Sequence, residues 1–344
     1  MNPPRASAKP NPILDAVSDA TAKIRADEDQ LELADAHKSL NPQPIEKLDV
    51  DAARKNPTVA DAVAVLLERQ GHSKDPETLV PGVVSRDIVI DGAEGPLPAR
   101  LYTPEGAAPF PVVVYFHGGG WVLADKQVYD GGARGLCKQA GALVLSVDYR
   151  KAPEHKFPAA WDDALAAYEW TLANIASFGG DPSRVALAGE SAGGNLALAT
   201  AIAARDSEIA QPVHVLAVYP VTQTSLNTES YIENAIAKPL NRAMMQWFFK
   251  HVTASEADLK DHRLQLIEAE LEGLPPVTLI TARLDPLRSD GSKMETALEA
   301  ADVDVERRDY EGVAHEFFGA AAVLAKAREA QRFAGERLRE SFVI

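Results

Sequence analysis

The chain has 344 residues, of which 46% are hydrophobic and 25% charged, as in a soluble globular protein built from one large domain with an attached subdomain. Its net charge of −15 would repel nucleic-acid phosphates and anionic lipid surfaces, so we expect neither nucleic acid nor a membrane as a partner. Cys137 is the only cysteine, which excludes an intrachain disulfide and a cysteine-based metal site. The sequence shows neither a signal peptide nor an apolar run of about 20 residues that could span a membrane, and we therefore expect a cytoplasmic protein.

Residues 1–80 are predicted to form a helical segment that is separate from the rest of the chain. Four prolines in the first dozen residues indicate a loose tail before a helix that starts near Ile13. A further helix is indicated in "NPTVADAVAVLLERQG", where Thr58 and Asp61 match a T-x-x-D capping pattern. Its apolar residues share one helical face: Val59, Val63, Leu66 and Leu67. We interpret this segment as part of a cap.

The pattern changes at Val84, where short β-rich runs begin. "VSRDIVI" and "LPARLYT" are separated by the turn "DGAEG" and predict an antiparallel hairpin. Six further runs, most of them continuously apolar, predict strands that are covered on both faces: 111–116, 142–149, 184–189, 214–220, 277–283 and 303–310. Helical patterns between several of these runs indicate βαβ crossovers, and so an α/β fold with a mostly parallel, doubly wound sheet of about eight strands. We assign residues 81–221 and 273–344 to this domain.

About fifty residues, 222–272, separate two of the predicted strands and contain helical patterns such as "NRAMMQWFFKHV". Long excursions at the end of a strand tend to be lids or binding elements, so this insertion is predicted to complete the cap. Met244, Trp247 and Phe248 could line an apolar substrate pocket. An amphipathic helix that packs onto the core explains the same pattern equally well.

"GESAGG" lies between a strand-like and a helix-like run and fits G-x-S-x-G, the pattern of a nucleophile elbow. Such a turn exposes a serine hydroxyl, here that of Ser191, and its glycines leave room for the strained backbone. The alternative is a glycine-rich turn in which Ser191 caps the following helix.

"HGGGW" closes the strand run 111–116. The three glycines Gly118, Gly119 and Gly120 would let backbone N–H groups approach a ligand atom, as an oxyanion hole requires. The alternative is a loop that needs positive φ angles. No phosphate-binding pattern is present, since both G-x-G-x-x-G and the Gly-Lys-Ser/Thr loop are missing.

A serine nucleophile requires a base and an acid that orients the base. His315 and Asp285 each follow a predicted strand, and the order Ser191, Asp285, His315 is that of α/β-hydrolases. Asp290 is the rival acid, and it is expected to face elsewhere from the following helix. "HEFFG" fails the zinc pattern H-E-x-x-H, and we expect no metal or cofactor.

Together, "HGGGW", "DYRKAPEHKFPAAWDD", "FGGDPSRVALAGESAGGNLA", "DPLRSDG" and "VAHEFF" resemble the bacterial hormone-sensitive-lipase-like esterases, an α/β-hydrolase family. The resemblance covers residue 85 to the C-terminus. It implies Ser191 as nucleophile, His315 as general base and acid, and Asp285 as the residue that orients His315. It also implies an oxyanion hole formed by the backbone N–H groups of Gly119, Gly120 and Ala192, with Gly118 adjacent. Arg150 and Glu154 are implied to form buried polar links below the site. Glu190 departs from the aspartate or threonine of many members.

The sequence thus predicts a serine esterase that hydrolyses short- to medium-chain esters through an acyl-enzyme, with Trp121 and Glu190 added to the candidate pocket. A deacetylase or an aryl-amide hydrolase would use the same residues. A non-catalytic small-molecule-binding protein of the same fold is a further alternative. The expected partner is a small-molecule ester, and the sheet edge after residue 310 is a possible homodimer interface.

Overall fold

The computed structural model describes residues 25–343, so the predicted helix near Ile13 lies outside the described residues. One sheet contains eight strands in the order β1-β2-β4-β3-β5-β6-β7-β8. The strands are β1 Val83–Gly92, β2 Gly95–Pro104, β3 Phe110–Phe116, β4 Leu143–Val147, β5 Gly180–Glu190, β6 Val215–Val218, β7 Val277–Leu284 and β8 Val305–Ala314. Strands β1 and β2 form the predicted antiparallel hairpin and β2 also runs antiparallel to β4, whereas β4, β3, β5, β6, β7 and β8 pair in parallel.

Helices cover both faces of the sheet, as the mostly apolar strand runs predicted. They are α1 Glu28–Ser39, α2 Val50–Ala53, α3 Val59–Arg69, α4 Pro76–Leu79, α5 Asp130–Ala140, α6 Ala159–Asn174, α7 Ala192–Asp206, α8 Glu229–Glu233, α9 Arg242–Val252, α10 Arg288–Ala300 and α11 Ala325–Phe342. Alternate residues of β3 enter two separate hydrophobic cores. Val112, Val114 and Phe116 join one with α6 and α7, while Val113 and Tyr115 join the other with α5 and α11.

The carboxyl ends of the parallel strands meet at one edge of the sheet. The "HGGG" loop follows β3, Ser191 follows β5, Asp285 follows β7 and His315 follows β8. Because the strands run in the same direction, residues up to 200 positions apart in the chain come together there. This edge is where open α/β sheets place ligands.

The two predicted cap segments differ in regularity. Helix α3 begins with the predicted capping box, in which the Thr58 side chain accepts from the Asp61 N–H and the Asp61 side chain accepts from the Thr58 N–H. The insertion is less helical than predicted: it contains only α8, α9 and two short 3₁₀ turns among its described residues. Within residues 25–343 no helix is both long enough and apolar enough to cross a membrane.

Candidate active site

Ser191 occupies a sharp turn between β5 and α7, with φ 57° and ψ −117°. Such a backbone costs about 1–3 kcal/mol for a residue with a side chain. The glycines on either side make the turn possible, because a Cβ at Gly189 would collide with the Gly193 backbone and one at Gly193 with the Phe116 backbone. The Ser191 side chain makes no hydrogen bond that caps α7. The turn therefore has the geometry of a nucleophile elbow and not that of a serine cap.

A chain of hydrogen bonds connects the three predicted catalytic side chains. The Ser191 hydroxyl donates to His315 Nε2 over 3.0 Å, and His315 Nδ1 donates to Asp285 Oδ2 over 2.7 Å. All three residues are buried, and Ser191 and His315 each retain 5% exposure. Asp285 is fully buried, so water is excluded from its carboxylate, whereas Ser191 and His315 keep a small exposed surface.

The protonation of His315 is set by opposing influences. Burial lowers its pKa, but the charge and hydrogen bond of Asp285, with smaller contributions from Glu316 and Glu190, outweigh burial and raise the pKa above the ordinary histidine value. A raised pKa strengthens the imidazole as a base and stabilises the imidazolium that forms when it takes a proton. These acids therefore favour proton transfer from Ser191.

The loop that carries Asp285 is held by the insertion. Asp285 Oδ1 accepts from the Leu287 N–H over 2.9 Å, which fixes the carboxylate within its own turn. From α8, the Ser230 hydroxyl donates to the Pro286 carbonyl over 2.5 Å, and Asn234 Nδ2 donates to the Asp285 carbonyl over 3.3 Å. The insertion thus holds the loop that carries Asp285.

Asp290, the rival acid, lies on α10 and points away from His315. Its carboxyl accepts hydrogen bonds from the Thr222 N–H and from Gln223 Nε2. Burial, with the nearby charge of Asp285, raises the pKa of Asp290 to about 8 despite those hydrogen bonds. The raised pKa favours a neutral Asp290, and the acid that contacts His315 is Asp285.

The glycine loop after β3 has the positive φ angles that its sequence predicted, 100° at Gly119 and 60° at Gly120. His117 Nδ1 donates to the Gly118 carbonyl over 2.7 Å, and the Tyr149 hydroxyl donates to the His117 carbonyl over 2.8 Å. Burial lowers the pKa of His117 to about 4, so this histidine is neutral and shapes the loop. A Cβ at Gly120 would collide with the ring of Phe248 on α9.

Glu190 is the residue before the nucleophile and is 1% exposed. The hydroxyls of Tyr115 and Tyr219 both donate to its carboxylate through short hydrogen bonds. Burial raises the pKa of Glu190 to about 7, although these two donors favour the charged form. The Tyr219 ring also packs on the His315 ring, with 4.5 Å between their centroids. This Tyr115–Glu190–Tyr219 brace therefore supports the His315 ring.

The five predicted pocket residues have different surroundings. Trp121 is fully buried against Trp161, and Trp247 donates its indole N–H to the Leu48 carbonyl over 3.2 Å. Phe248 lies against the glycine loop, Met244 is half-buried beside the core, and Glu190 belongs to the brace. Most of these side chains pack in the hydrophobic core. This is the second of the two interpretations that the amphipathic pattern of α9 allowed.

The polar links implied for Arg150 and Glu154 are only partly as expected. Arg150 Nε donates to the fully buried carboxylate of Asp163 over 2.8 Å. The Glu154 side chain, in contrast, is 52% exposed and pairs with Arg54 of the N-terminal segment over 2.6 Å. The expectation of a buried Glu154 is wrong, because this residue lies on a surface turn that the N-terminal segment reaches.

Sequence reasoning missed several residues that contact or influence His315 and the Asp285 loop. Tyr219 directly follows β6 and Glu316 directly follows His315, so the strand-end rule that found the triad could also have found them. Ser230 and Asn234 gave no such signal, since their contacts join α8 to a loop more than fifty positions away. Within the described part of the chain, no cluster of three or more His, Cys, Asp or Glu side chains could hold a metal ion.

Comparisons with known proteins agree with this geometry. A family model described as the alpha/beta hydrolase fold matches residues 113–319. Carboxylesterase NlhH of Mycobacterium tuberculosis is 40% identical over 294 residues, which cover 83% of this chain and 92% of the relative. Ethyl acetate hydrolase of Pseudomonas putida is 31% identical, over 83% of this chain and 88% of the relative.

Solved structures give the same result. An esterase from Pyrobaculum calidifontis superposes with a TM-score of 0.80 and 34% identity, covering 90% of this chain and 98% of the esterase. The matched regions include the elbow, the glycine loop and the strand ends that carry Asp285 and His315. The chain belongs to the α/β-hydrolase family, in its hormone-sensitive-lipase-like branch.

Proposed function

We propose that this protein is a serine esterase that hydrolyses short- to medium-chain carboxylic esters through an acyl-enzyme. Ser191 Oγ attacks the ester carbonyl while His315 Nε2 accepts the hydroxyl proton. The resulting oxyanion accepts hydrogen bonds from the N–H groups of Gly119, Gly120 and Ala192, beside Gly118. His315 then gives the proton to the departing alcohol, and Asp285 stabilises the imidazolium between these steps. Water, activated by the same histidine, releases the acid.

The observation that carries the proposal is the continuous hydrogen-bond chain from Ser191 through His315 to Asp285 next to the glycine loop. The alternative of a small-molecule-binding protein is disfavoured, because binding alone does not require a complete triad with a raised histidine pKa. The named activities of the relatives, a carboxylesterase and an ethyl acetate hydrolase, favour esters over amides. A kinetic panel of esters, lactones and amides would separate the esterase from the deacetylase and aryl-amide alternatives.

Ser191→Ala tests the proposal directly. We expect kcat for p-nitrophenyl acetate and butyrate to fall by about 10⁶-fold, as when a catalytic serine is removed from other hydrolases. Ser177→Ala, at an exposed serine on a 3₁₀ turn, is the matched control and should retain full activity. Hydrolysis by Ser191→Ala at the rate of the control would refute the mechanism.

The same proposal includes a homodimer through the free edge of β8, which within the described residues pairs only with β7. An unpaired strand edge is a ready template for a second chain. Sedimentation equilibrium should give twice the chain mass of 37.0 kDa. A monomer at all concentrations would remove the dimer from the proposal and leave the chemistry unaffected.

A further inference from the structure

A cavity of about 200 Å³ lies between the N-terminal segment and the α/β domain. Neither Ser191 nor His315 lines this cavity, but their chain neighbours Glu190 and Glu316 do, and we call these two the inner carboxylates. Most of the other walls are apolar and come from α3, from the end of α4 and from residues 320–322. The cavity is therefore a space without a reacting atom, whose wall includes two acids next to the triad.

The charges around the cavity favour a cation as its occupant. Both cationic side chains in the wall are already paired with acids, Lys74 with Glu68 over 3.1 Å and Arg134 with Asp130 over 2.9 Å. The inner carboxylates, in contrast, form no ion pair with any of residues 25–343. The net charge of −15 on the whole chain acts in the same direction.

Glu316 is the inner carboxylate that can bind an occupant directly. The Tyr129 hydroxyl donates to Glu316 Oε1 over 3.1 Å, and the hydrogen bonds of residues 25–343 leave Oε2 as an acceptor. Glu190 uses both of its oxygens, which accept from the hydroxyls of Tyr115 and Tyr219, and so contributes charge alone. An acceptor oxygen beside a second acid favours a charged donor over a neutral one.

We propose that this cavity is a regulatory site that binds a primary ammonium ion with a compact apolar body. The ammonium group lies at Glu316 and the body packs against α3. An apolar cavity of about 150 Å³ accommodates benzene, so one of about 200 Å³ suits a ring with a short ammonium arm, as in benzylammonium. The bound ion is not a substrate, because no reacting atom lines the cavity, and its binding does not depend on the proposed esterase activity.

A cation at this place would act on the base of the triad through charge. Asp285, Glu316 and Glu190 all raise the pKa of His315, and the Tyr219 ring packs on its imidazole. An ammonium ion beside the inner carboxylates offsets their two contributions and so lowers the pKa of His315. By linkage, the ion binds more tightly when His315 and Glu190 have both lost their protons, which occurs at higher pH.

Isothermal titration calorimetry with benzylammonium chloride tests the site. Wild type should bind one equivalent, and should bind benzyl alcohol, which has the same number of heavy atoms, about tenfold more weakly. Val63→Phe fills the cavity and should lower the affinity for benzylammonium by about tenfold or more. Val65→Phe, the same change at a half-buried position of α3 outside the lining, should retain it.

A second pair of variants tests the charge. Glu316→Gln should lower the affinity for benzylammonium by about tenfold, since a hydrogen bond between two charged groups is lost. Glu311→Gln, at an exposed residue of β8, is the matched control and should keep the affinity. If Val63→Phe does not fold, this pair decides alone.

Two further measurements separate the cavity from the ester site. Protein whose Ser191 carries a fluorophosphonate label should bind benzylammonium as tightly as unlabelled protein. The affinity of wild type should be about fivefold higher at pH 8 than at pH 6. Benzylammonium should also move the acid limb of kcat/KM for ethyl acetate to lower pH in wild type but not in Glu316→Gln.

The outcomes are separable. Absence of binding by wild type, or equal affinities of Val63→Phe and Val65→Phe, would overturn the site. Loss of binding after labelling of Ser191 would place the ion in the ester site and overturn it as well. Equal affinities of Glu316→Gln and Glu311→Gln, or an affinity that does not rise with pH, would overturn the ammonium selectivity. A protein that binds benzylammonium as expected but hydrolyses no ester would support this site and overturn only the proposed esterase function.

Discussion

The two segments outside the α/β domain, residues 25–80 and 222–272, flank the triad in different ways. The insertion is filled with rings: Trp247, Phe248 and Phe249 are each at most 7% exposed, and Phe248 lies against the glycine loop. Its helix α8 also holds the Asp285 loop. The N-terminal segment instead meets the domain across an open cavity. The insertion thus supports the loop that carries Asp285, whereas the N-terminal segment leaves a cavity between itself and the α/β domain.

The two segments share one of the two cores, because Ile45 and Ala53 of the N-terminal segment belong to the cluster that contains Phe248 and Phe249, but only the N-terminal segment contributes to the other core. Leu33, Ala62 and Leu66 of the N-terminal segment pack with α5 and α11, whereas Phe248 and Phe249 of the insertion pack with α6 and α7. Effects of substitutions at sites without shared contacts usually add independently. We therefore expect changes in the insertion to alter kcat, and changes in α3 to alter stability.

The largest expected contrast compares Phe248→Ala with Leu66→Ala. Both remove buried side chains and should lower the free energy of unfolding by about 3–5 and 2–5 kcal/mol, respectively. Only Phe248→Ala removes the ring behind Gly120, so its kcat for p-nitrophenyl acetate should fall by about 100-fold, as when one oxyanion donor is lost. Urea unfolding and kcat, measured where both variants are folded, check this. An equal loss of kcat in both variants would show that the insertion and the N-terminal segment do not differ in their effect on kcat.

A smaller effect is expected at the support of the acid loop. Ser230→Ala removes the hydroxyl that donates to the Pro286 carbonyl and accepts from the Ser289 N–H. We expect a loss of about 1–3 kcal/mol in stability and about tenfold in kcat, with little change in KM, because Asp285 then orients His315 less well. Ser255→Ala, at an exposed serine of the same insertion, is the control. A kcat equal to that of the control would show that α8 does not position the acid.

The pH profile of kcat/KM tests whether the acids around His315 raise its pKa. The base must be neutral and its pKa is raised, so log(kcat/KM) should increase with pH along a limb whose midpoint lies above the ordinary histidine value of about 6.5. Glu190→Gln removes one negative charge that raises this pKa, and the limb should move to lower pH. A limb that does not move would show that Glu190 acts on His315 through packing alone.

The smallest effect is expected at the tie between the N-terminal segment and the domain. Arg54 binds Glu154 with both Nη atoms and donates to the carbonyls of Ala152 and Val122. Because the pair is partly exposed, Arg54→Ala should cost about 1 kcal/mol and leave kcat for p-nitrophenyl acetate within about twofold. Lys55→Ala, at the exposed neighbour, is the control. A large loss of kcat in Arg54→Ala would mean that this segment also positions reacting groups.

The arrangement of the triad could be predicted because each member follows a strand, and the carboxyl ends of parallel strands share one edge. The pocket residues and the cavity could not be predicted in the same way. The apolar pattern of α9 is identical whether Trp247 lines a pocket or packs in a core, and its burial decides for packing. The cavity depends on the spacing between α3 and α5, which local sequence does not encode. The family resemblance implied a buried link for Glu154, but its partner is Arg54, 100 residues earlier in the chain, and the Glu154 side chain is 52% exposed.

Labelling with a fluorophosphonate, followed by peptide mapping, tests the central claim most directly. Only a serine activated by a neighbouring base reacts rapidly with such a probe. We predict one equivalent of label, carried by Ser191, and loss of the labelling in His315→Ala. Label on another residue, or undiminished labelling of Ser191 after His315→Ala, would contradict the account.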